Sequence, residues 1–201
     1  MADNKETTMA NMVLLVDLEN VQKVDLSRVP ASARVKIFVG ALQTKLPTAL
    51  VQQAQALGTR LEWVRIDGNG SNALDFHIAC HLGEGLSRMP QAEFVILSRD
   101  KGFDPLLRHL EGRGMACRRI EDPVQLVLAA MSSADANAKQ VLELLGRTEK
   151  SKRPRKRSTL VNYVTTHFGS KMPADDVKRV IDRLFAMKLI AGTDAVLVYH
   201  F

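Results

Sequence analysis

Met12 to Asn20 reads M-V-L-L-V-D-L-E-N, and this stretch decides the fold. Five apolar residues, Met12 to Val16, run without polar alternation into Asp17, and Glu19 and Asn20 follow. A short unbroken apolar run suits a strand buried on both faces, as at the centre of a parallel sheet. Ligands of such sheets bind beyond the carboxyl ends of the strands. Asp17 therefore falls where a buried strand opens to solvent, and a carboxylate in that place needs compensation.

Four more strands follow from the same reasoning. Arg34 to Val39 (R-V-K-I-F-V) alternates and is closed by Gly40, and Arg60 to Ile66, Glu93 to Ser98 and Met115 to Ile120 read alike. Between them lie helical patterns. Pro47 to Leu57 has proline at its start and Gly58 past its end, Ala73 to Leu86 follows a D-G-N-G-S-N loop, and Phe103 to Glu111 is ended by Gly112 and Gly114. Val124 to Met131 and Ala134 to Leu145 read as two further helices. Strands alternating with helices predict a parallel sheet covered on both faces, with right-handed crossovers. No G-x-G-x-x-G follows the first strand and no G-x-x-x-x-G-K-[ST] occurs, which argues against dinucleotide and P-loop sites.

Composition bounds the rest. The chain has 201 residues, 46% hydrophobic and 25% charged, and no apolar run approaches the roughly 20 residues that span a bilayer. Met1 to Asn11 is polar and is expected to be a flexible tail rather than a secretory leader. Cys80 and Cys117 fall within regular elements without metal-knuckle spacing, and read as buried, reduced thiols of a cytoplasmic protein. The net charge of +6 is concentrated between Arg147 and Arg157, where seven basic residues meet one acid. Residues 12–146 thus read as one domain, 147–157 as a basic linker and 158–201 as a second domain. Lys150, Lys152, Arg153, Arg155, Lys156 and Arg157 are candidate contacts to a nucleic-acid backbone. In the second domain Ser158 to Phe168 and Pro173 to Ile190 are helical, and Ala195 to Phe201 is a terminal strand. That order resembles a small or truncated winged helix.

The acids carry the chemistry. Asp17 ends the first strand, Asp75 lies in the first turn of the helix after the third, Asp100 follows the fourth, and Asp104 lies about one helical turn beyond. Converging carboxylates repel one another unless a cation neutralises them, and all-oxygen ligation selects Mg²⁺ or Mn²⁺. Each acid also has a structural reading, Asp100 as a helix cap and Asp75 as a first-turn residue favoured by the helix dipole. Arg99 and Lys101 flank Asp100 and are placed to hold a phosphate. His77 and His81 share one helical face without a third ligand, and read as packing or phosphate-contact residues. Trp63 reads as core.

Three motifs carry a family resemblance: V-L-L-V-D-L-E-N at 13–20, S-N-A-L-D-F at 71–76 and V-I-L-S-R-D-K-G-F-D-P-L-L at 95–107. Together, over about residues 12 to 131, they resemble the PIN-like nucleases, specifically their NYN branch. The resemblance implies a Rossmannoid α/β domain with a five-stranded parallel sheet of order 3-2-1-4-5. It also implies a metal-dependent endoribonuclease site that activates water for in-line attack on a phosphodiester. Asp17 would be the first metal ligand, Asp75 the acid of the helix and Asp100 the acid after the fourth strand, with Asn20 as the polar residue that follows the first acid. The family often reads S-G-D-S-D-F at the fourth strand; here Gly102 stands at the second acid and Asp104 comes two residues later. The expected partner is RNA, single-stranded RNA included, with DNA as an alternative, no membrane, and a homo-oligomer left open. The competing reading is a non-catalytic RNA- or DNA-binding regulator that uses the nuclease-like domain as a scaffold.

Overall fold

The computed structural model describes residues 12–131 and 135–201, so the expected N-terminal tail at 1–11 and the expected helix start at Ala134 lie outside the described residues. The chain divides into two compact units, the first ending at Gln125 and the second spanning Leu126–Phe201.

In the first unit, β1 (Met12–Asp17), β2 (Ala33–Val39), β3 (Leu61–Arg65), β4 (Glu93–Leu97) and β5 (Cys117–Ile120) form one sheet of order β3-β2-β1-β4-β5, every pairing parallel. This is the expected order. β1 is central and buried on both faces from Val13 to Asp17, as its unbroken apolar run requires. The register sets Val16 opposite Leu97, so Asp17 and Ser98 leave the sheet side by side. Helix α1 (Thr48–Leu57) precedes β3. Helix α2 (Ala73–Arg88) buries Leu74, Ile78, Leu82 and Leu86, spaced one helical turn apart, in a core with Phe38, Phe94 and Ile96. Each such side chain contributes about 1.5–3 kcal/mol on burial. Gly85 brings α2 close to the sheet: a Cβ there would stand 2.6 Å from Phe94 Cζ. A 3-10 turn (Lys101–Phe103) runs into α3 (Asp104–Glu111), and α4 (Val124–Ala130) leads out of the unit.

Two expectations are corrected here. Trp63 is not core: β3 is an edge strand and leaves the indole 38% exposed. Cys80 is also exposed, because it lies on the face of α2 away from the Leu74–Leu86 stripe, whereas Cys117 is buried.

The second unit contains α5 (Ala136–Arg147), α6 (Arg157–Phe168), α7 (Ala174–Ala186) and an antiparallel hairpin of β6 (Ile190–Gly192) and β7 (Leu197–Tyr199). Val141, Leu142, Leu145, Leu160, Val164, Val177, Ile181 and Leu184 are among its buried residues. α5 packs on α7 within this unit. The basic stretch is mostly folded: Arg147 ends α5, Lys150–Lys152 is a 3-10 turn and Arg157 begins α6. Among the described residues no helix is long and apolar enough to cross a membrane.

Candidate active site

Beyond the carboxyl ends of β1 and β4, Asp17 is fully buried. Its Oδ1 accepts from the Asn20 backbone N–H at 3.1 Å, and its Oδ2 accepts from Asn20 Nδ2 and Ser98 Oγ, both at 2.7 Å. The turn that returns Asn20 is closed by the Val21 N–H on the Asp17 carbonyl. Three donors on one carboxylate are the compensation a buried charge needs. Ser98 Oγ also accepts from the Asp100 N–H at 3.0 Å, which ties the loop after β4 to the end of β1.

Asp100 caps the 3-10 turn: its Oδ1 accepts from the Gly102 N–H at 2.7 Å. Its capping role is thus real, and it leaves Oδ2 without a donor among the described residues. Asp75, in the first turn of α2, has no hydrogen-bond donor among the described residues, nor has Glu19. Glu19, Asn20, Asp75 and Asp100 line a single cavity of about 340 Å³, together with Leu42 and Asn72. No Lys, Arg or His lines it. Burial pushes the Asp75 carboxyl above its ordinary value, and the negative charges of Asp17, Asp100 and Glu19 push it the same way. The structure therefore brings Asn20, Asp75 and Asp100 to one negatively charged cavity, and Asp17, held by its three hydrogen bonds, adds its charge to the field at Asp75.

Asp104 stands apart. Arg119 grips its carboxylate, Nε to Oδ1 at 2.7 Å and Nη2 to Oδ2 at 3.4 Å, and this bond holds the Asp104 carboxyl below its ordinary value. The same guanidinium donates from Nη1 to the Ser98 carbonyl at 2.9 Å.

Glu19 and Ser98 were missed as site residues. Both lie inside motifs that were singled out, but their roles depend on the β1–β4 register and on Gly40, where a Cβ would stand 2.8 Å from Glu19 Cδ. The histidines pack: His77 Nδ1 lies 2.7 Å from the Ala73 carbonyl, and His81 meets Lys36 Nζ at 3.2 Å and the edge of Phe38.

Among the described residues no three His, Cys, Asp or Glu side chains stand close enough to cage a metal. The donors still fit a hard cation that keeps most of its waters, since Mg²⁺ typically binds through one or two carboxylates and substrate phosphates. The uncompensated carboxylates and the donor-free Asp100 Oδ2 are what such an ion would satisfy.

Of the expected phosphate contacts, Arg99 and Lys101 are exposed beside Asp100, and Lys150, Arg155 and Lys156 are exposed in the second unit. Lys152 pairs with Glu149 at 3.0 Å, and Arg157 pairs with Asp182. Arg153 is turned inward, with Nε on the Thr148 carbonyl at 3.1 Å, Nη1 on the Phe201 carbonyl at 2.8 Å, and its guanidinium 4.8 Å from the Phe201 ring centre. Burial pushes the neighbouring Tyr199 hydroxyl up to about 12.

A family model described as a PIN domain matches residues 11–120, more than half of the chain. No curated protein and no solved structure matches it.

Proposed function

The chain belongs to the PIN-domain family, whose members are in general metal-dependent nucleases, and from that premise we propose that it is an Mg²⁺- or Mn²⁺-dependent endoribonuclease of the NYN type, acting in the cytoplasm. The observation that carries this reading is the cavity at the ends of β1 and β4, lined by carboxylates, with no cation among its lining residues and with the buried Asp17 behind it.

One or two of the carboxylates of Asp17, Asp75 and Asp100 would hold the ion, with water completing its shell and Glu19 within the same field. The chemistry such an ion would supply there is neutralisation of phosphate charge and activation of water for in-line displacement. The protein supplies orientation. Asn20 and Ser98 fix the Asp17 carboxylate through its three hydrogen bonds. Gly102 fixes the Asp100 carboxylate, and the cap leaves one oxygen to face the cavity's contents. Asp104 acts at one remove, by setting the Arg119 guanidinium that holds the Ser98 carbonyl. Arg99 and Lys101 would hold the phosphates on either side of the scissile bond. Lys150, Arg155 and Lys156 would add sequence-independent backbone contacts from a winged-helix-like second unit.

Cleavage of a labelled single-stranded RNA, with Mn²⁺, with Mg²⁺ and with chelator, tests this reading. Wild type is expected to cut only with metal, and Asp17→Asn not at all. Metal-independent cutting, or a fully active Asp17→Asn, refutes it. One observation favours the non-catalytic regulator instead: Gly102 replaces an acid, and Asp104 is neutralised by Arg119. RNA binding that ignores Asp17, with no cutting under any metal, would decide for that reading.

A further inference from the structure

A second cavity, of about 420 Å³, opens at the opposite end of the sheet, lined by the second half of α2 and the first residues of β2 and β3. Its place follows from a break in the apolar pattern. Phe38 of β2 packs into the core beneath α2, and Lys36 and Arg34 share its face by the two-residue period of a strand. β2 lies one strand in from the edge, where a covered parallel sheet ordinarily carries apolar side chains. Here two cations stand instead. Lys36 Nζ meets Glu62 Oε2 at 3.0 Å and His81 Nδ1 at 3.2 Å, and the His81 ring makes a T-shaped contact with Phe38. His81, Gly85 and Arg88 line the cavity from the row of α2 that runs beside its buried stripe.

The lining offers unused donors. An ammonium can only donate, so His81 Nδ1 accepts from Lys36. Burial, and then the Lys36 charge, hold the imidazole below its ordinary value. The ring is therefore neutral and carries its proton on Nε2, which has no partner among the described residues. Arg34 and Arg88 are exposed and form no ion pair among the described residues. The remaining cation, Arg60, is held by the Pro30 and Ala33 carbonyls at 3.3 and 3.1 Å. Two acids, Glu62 and Glu84, also line the cavity, and Val13, Phe94 and the half-buried Met89 give it an apolar floor.

An occupant must match three surfaces at once: an anion for the arginines, hydroxyl or amine donors for the acids, and a flat apolar body for the floor. A nucleoside monophosphate carries all three. We infer that this cavity binds a nucleoside monophosphate, at a site separate from the carboxylate cavity. Arg34 and Arg88 take the phosphate, which a planar guanidinium grips with two parallel hydrogen bonds. Glu62 and Glu84 accept from the ribose hydroxyls, and the base lies over the apolar floor, within reach of the His81 Nε2–H. The cavity falls in the range of roughly 300–1,000 Å³ usual for small-ligand clefts. Arg34 stands on β2 and Arg88 at the end of α2, so the bound phosphate ties the helix to the sheet. The inference does not depend on the nuclease reading.

The test titrates the full-length chain with each of the common ribonucleoside 5′-monophosphates by isothermal titration calorimetry. Metal is chelated, so that no ion can draw phosphate into the carboxylate cavity. Saturable binding of at least one nucleotide is expected. Arg34→Ala and Arg88→Ala should each weaken it by roughly 10- to 100-fold, as loss of a charged hydrogen bond does. Lys101→Ala, beside the carboxylate cavity, should bind as wild type, and inorganic phosphate or the free nucleoside should bind more weakly than the nucleotide. Failure of every nucleotide to saturate at millimolar concentration overturns the inference. So does binding that survives joint replacement of Arg34 and Arg88 by alanine, or binding that falls with Lys101→Ala, which would return the nucleotide to the carboxylate cavity. Inorganic phosphate bound as tightly as the nucleotide would reduce the site to a charged patch. A short RNA that competes with the nucleotide and weakens on the same substitutions would make it a nucleic-acid contact, and either result overturns the inference.

Discussion

Replacing Asp17 with Asn changes one atom and should have two separable effects. The carboxylate accepts three hydrogen bonds, two on Oδ2 and one on Oδ1. An amide offers a single oxygen. If that oxygen takes the place of Oδ2 it keeps Asn20 Nδ2 and Ser98 Oγ, and the new NH₂ then faces the Asn20 backbone N–H, donor against donor. The opposite rotamer sets the NH₂ against both Asn20 Nδ2 and Ser98 Oγ and is the costlier of the two. At least one bond to a charged acceptor is lost, about 1.5–3 kcal/mol, and the bonds that remain lose their charge assistance. Against this, removing a negative charge relieves Asp75. The net cost in metal-free protein should be about 1–3 kcal/mol, lowering Tm by roughly 2–4 °C per kcal/mol for a chain of this size.

The second effect runs through metal. An ion at one hundred times its Kd stabilises wild type by about 2.7 kcal/mol, and the variant should gain nothing. Thermal unfolding followed by far-UV circular dichroism, with chelator and over a Mn²⁺ titration, reads both effects. A variant as stable as wild type in chelator would show that the three hydrogen bonds do not anchor the site. Equal gains with Mn²⁺ in both proteins would place the ion elsewhere.

Three further outcomes are expected. Gly83 and Gly85 lie two residues apart in α2, and only Gly85 is crowded, so Gly83→Ala should stabilise by about 0.5–1 kcal/mol. Gly85→Ala should destabilise by about 1–3 kcal/mol against the Phe94 ring; urea denaturation that ranks them the other way would contradict the packing of α2 on β4. At Asp25, burial alone would raise the carboxyl, but the hydrogen bonds from Ser27 and Arg28 outweigh it and hold it below 3.8. Its contribution to stability is therefore full above that unfolded value and lost as pH falls through the lower folded one. The stability gap between wild type and Asp25→Asn should be flat near neutral pH and close only in that acid range. Finally, Arg153→Ala should cost the second unit about 1–3 kcal/mol by removing the donor from two part-buried backbone oxygens, with the salt slope of RNA binding unchanged. Joint alanine replacement of Lys150, Arg155 and Lys156 should do the reverse, flattening that slope by about 2 on single-stranded RNA. A slope that follows Arg153 instead would reverse those roles.

The sheet was legible because its strands are unbroken or alternating apolar runs separated by turn residues, a local signal that burial on two faces writes directly into sequence. Asp17, Asp75 and Asp100 were legible for a related reason: each sits at a fixed offset from a strand or helix end. What escaped was set by neighbours distant in sequence. Trp63 looked like core until β3 proved to be the edge. Arg153 looked like one more exposed cation, but its partners, Thr148 and Phe201, are carbonyls that no pattern marks as acceptors. Glu19 stood in the deciding stretch, yet its place over Gly40 depends on how β2 ends beside β1.

The departure at Gly102 becomes intelligible in the same terms. A side chain there would begin 3.1 Å from Asp100 Oδ1, the oxygen that the Gly102 N–H already holds. An acid at this position would crowd Asp100 and add a like charge to a cavity that already raises Asp75. Asp104, two residues later, pairs with Arg119; the same guanidinium donates to the Ser98 carbonyl, while Ser98 Oγ donates to Asp17. The hydrogen bonds thus link Gly102 to Asp100, and Asp104 through Arg119 and Ser98 to Asp17. Under the proposed metal-dependent reading, such an arrangement would leave fewer charges for an ion to neutralise and would hold those that remain in fixed directions.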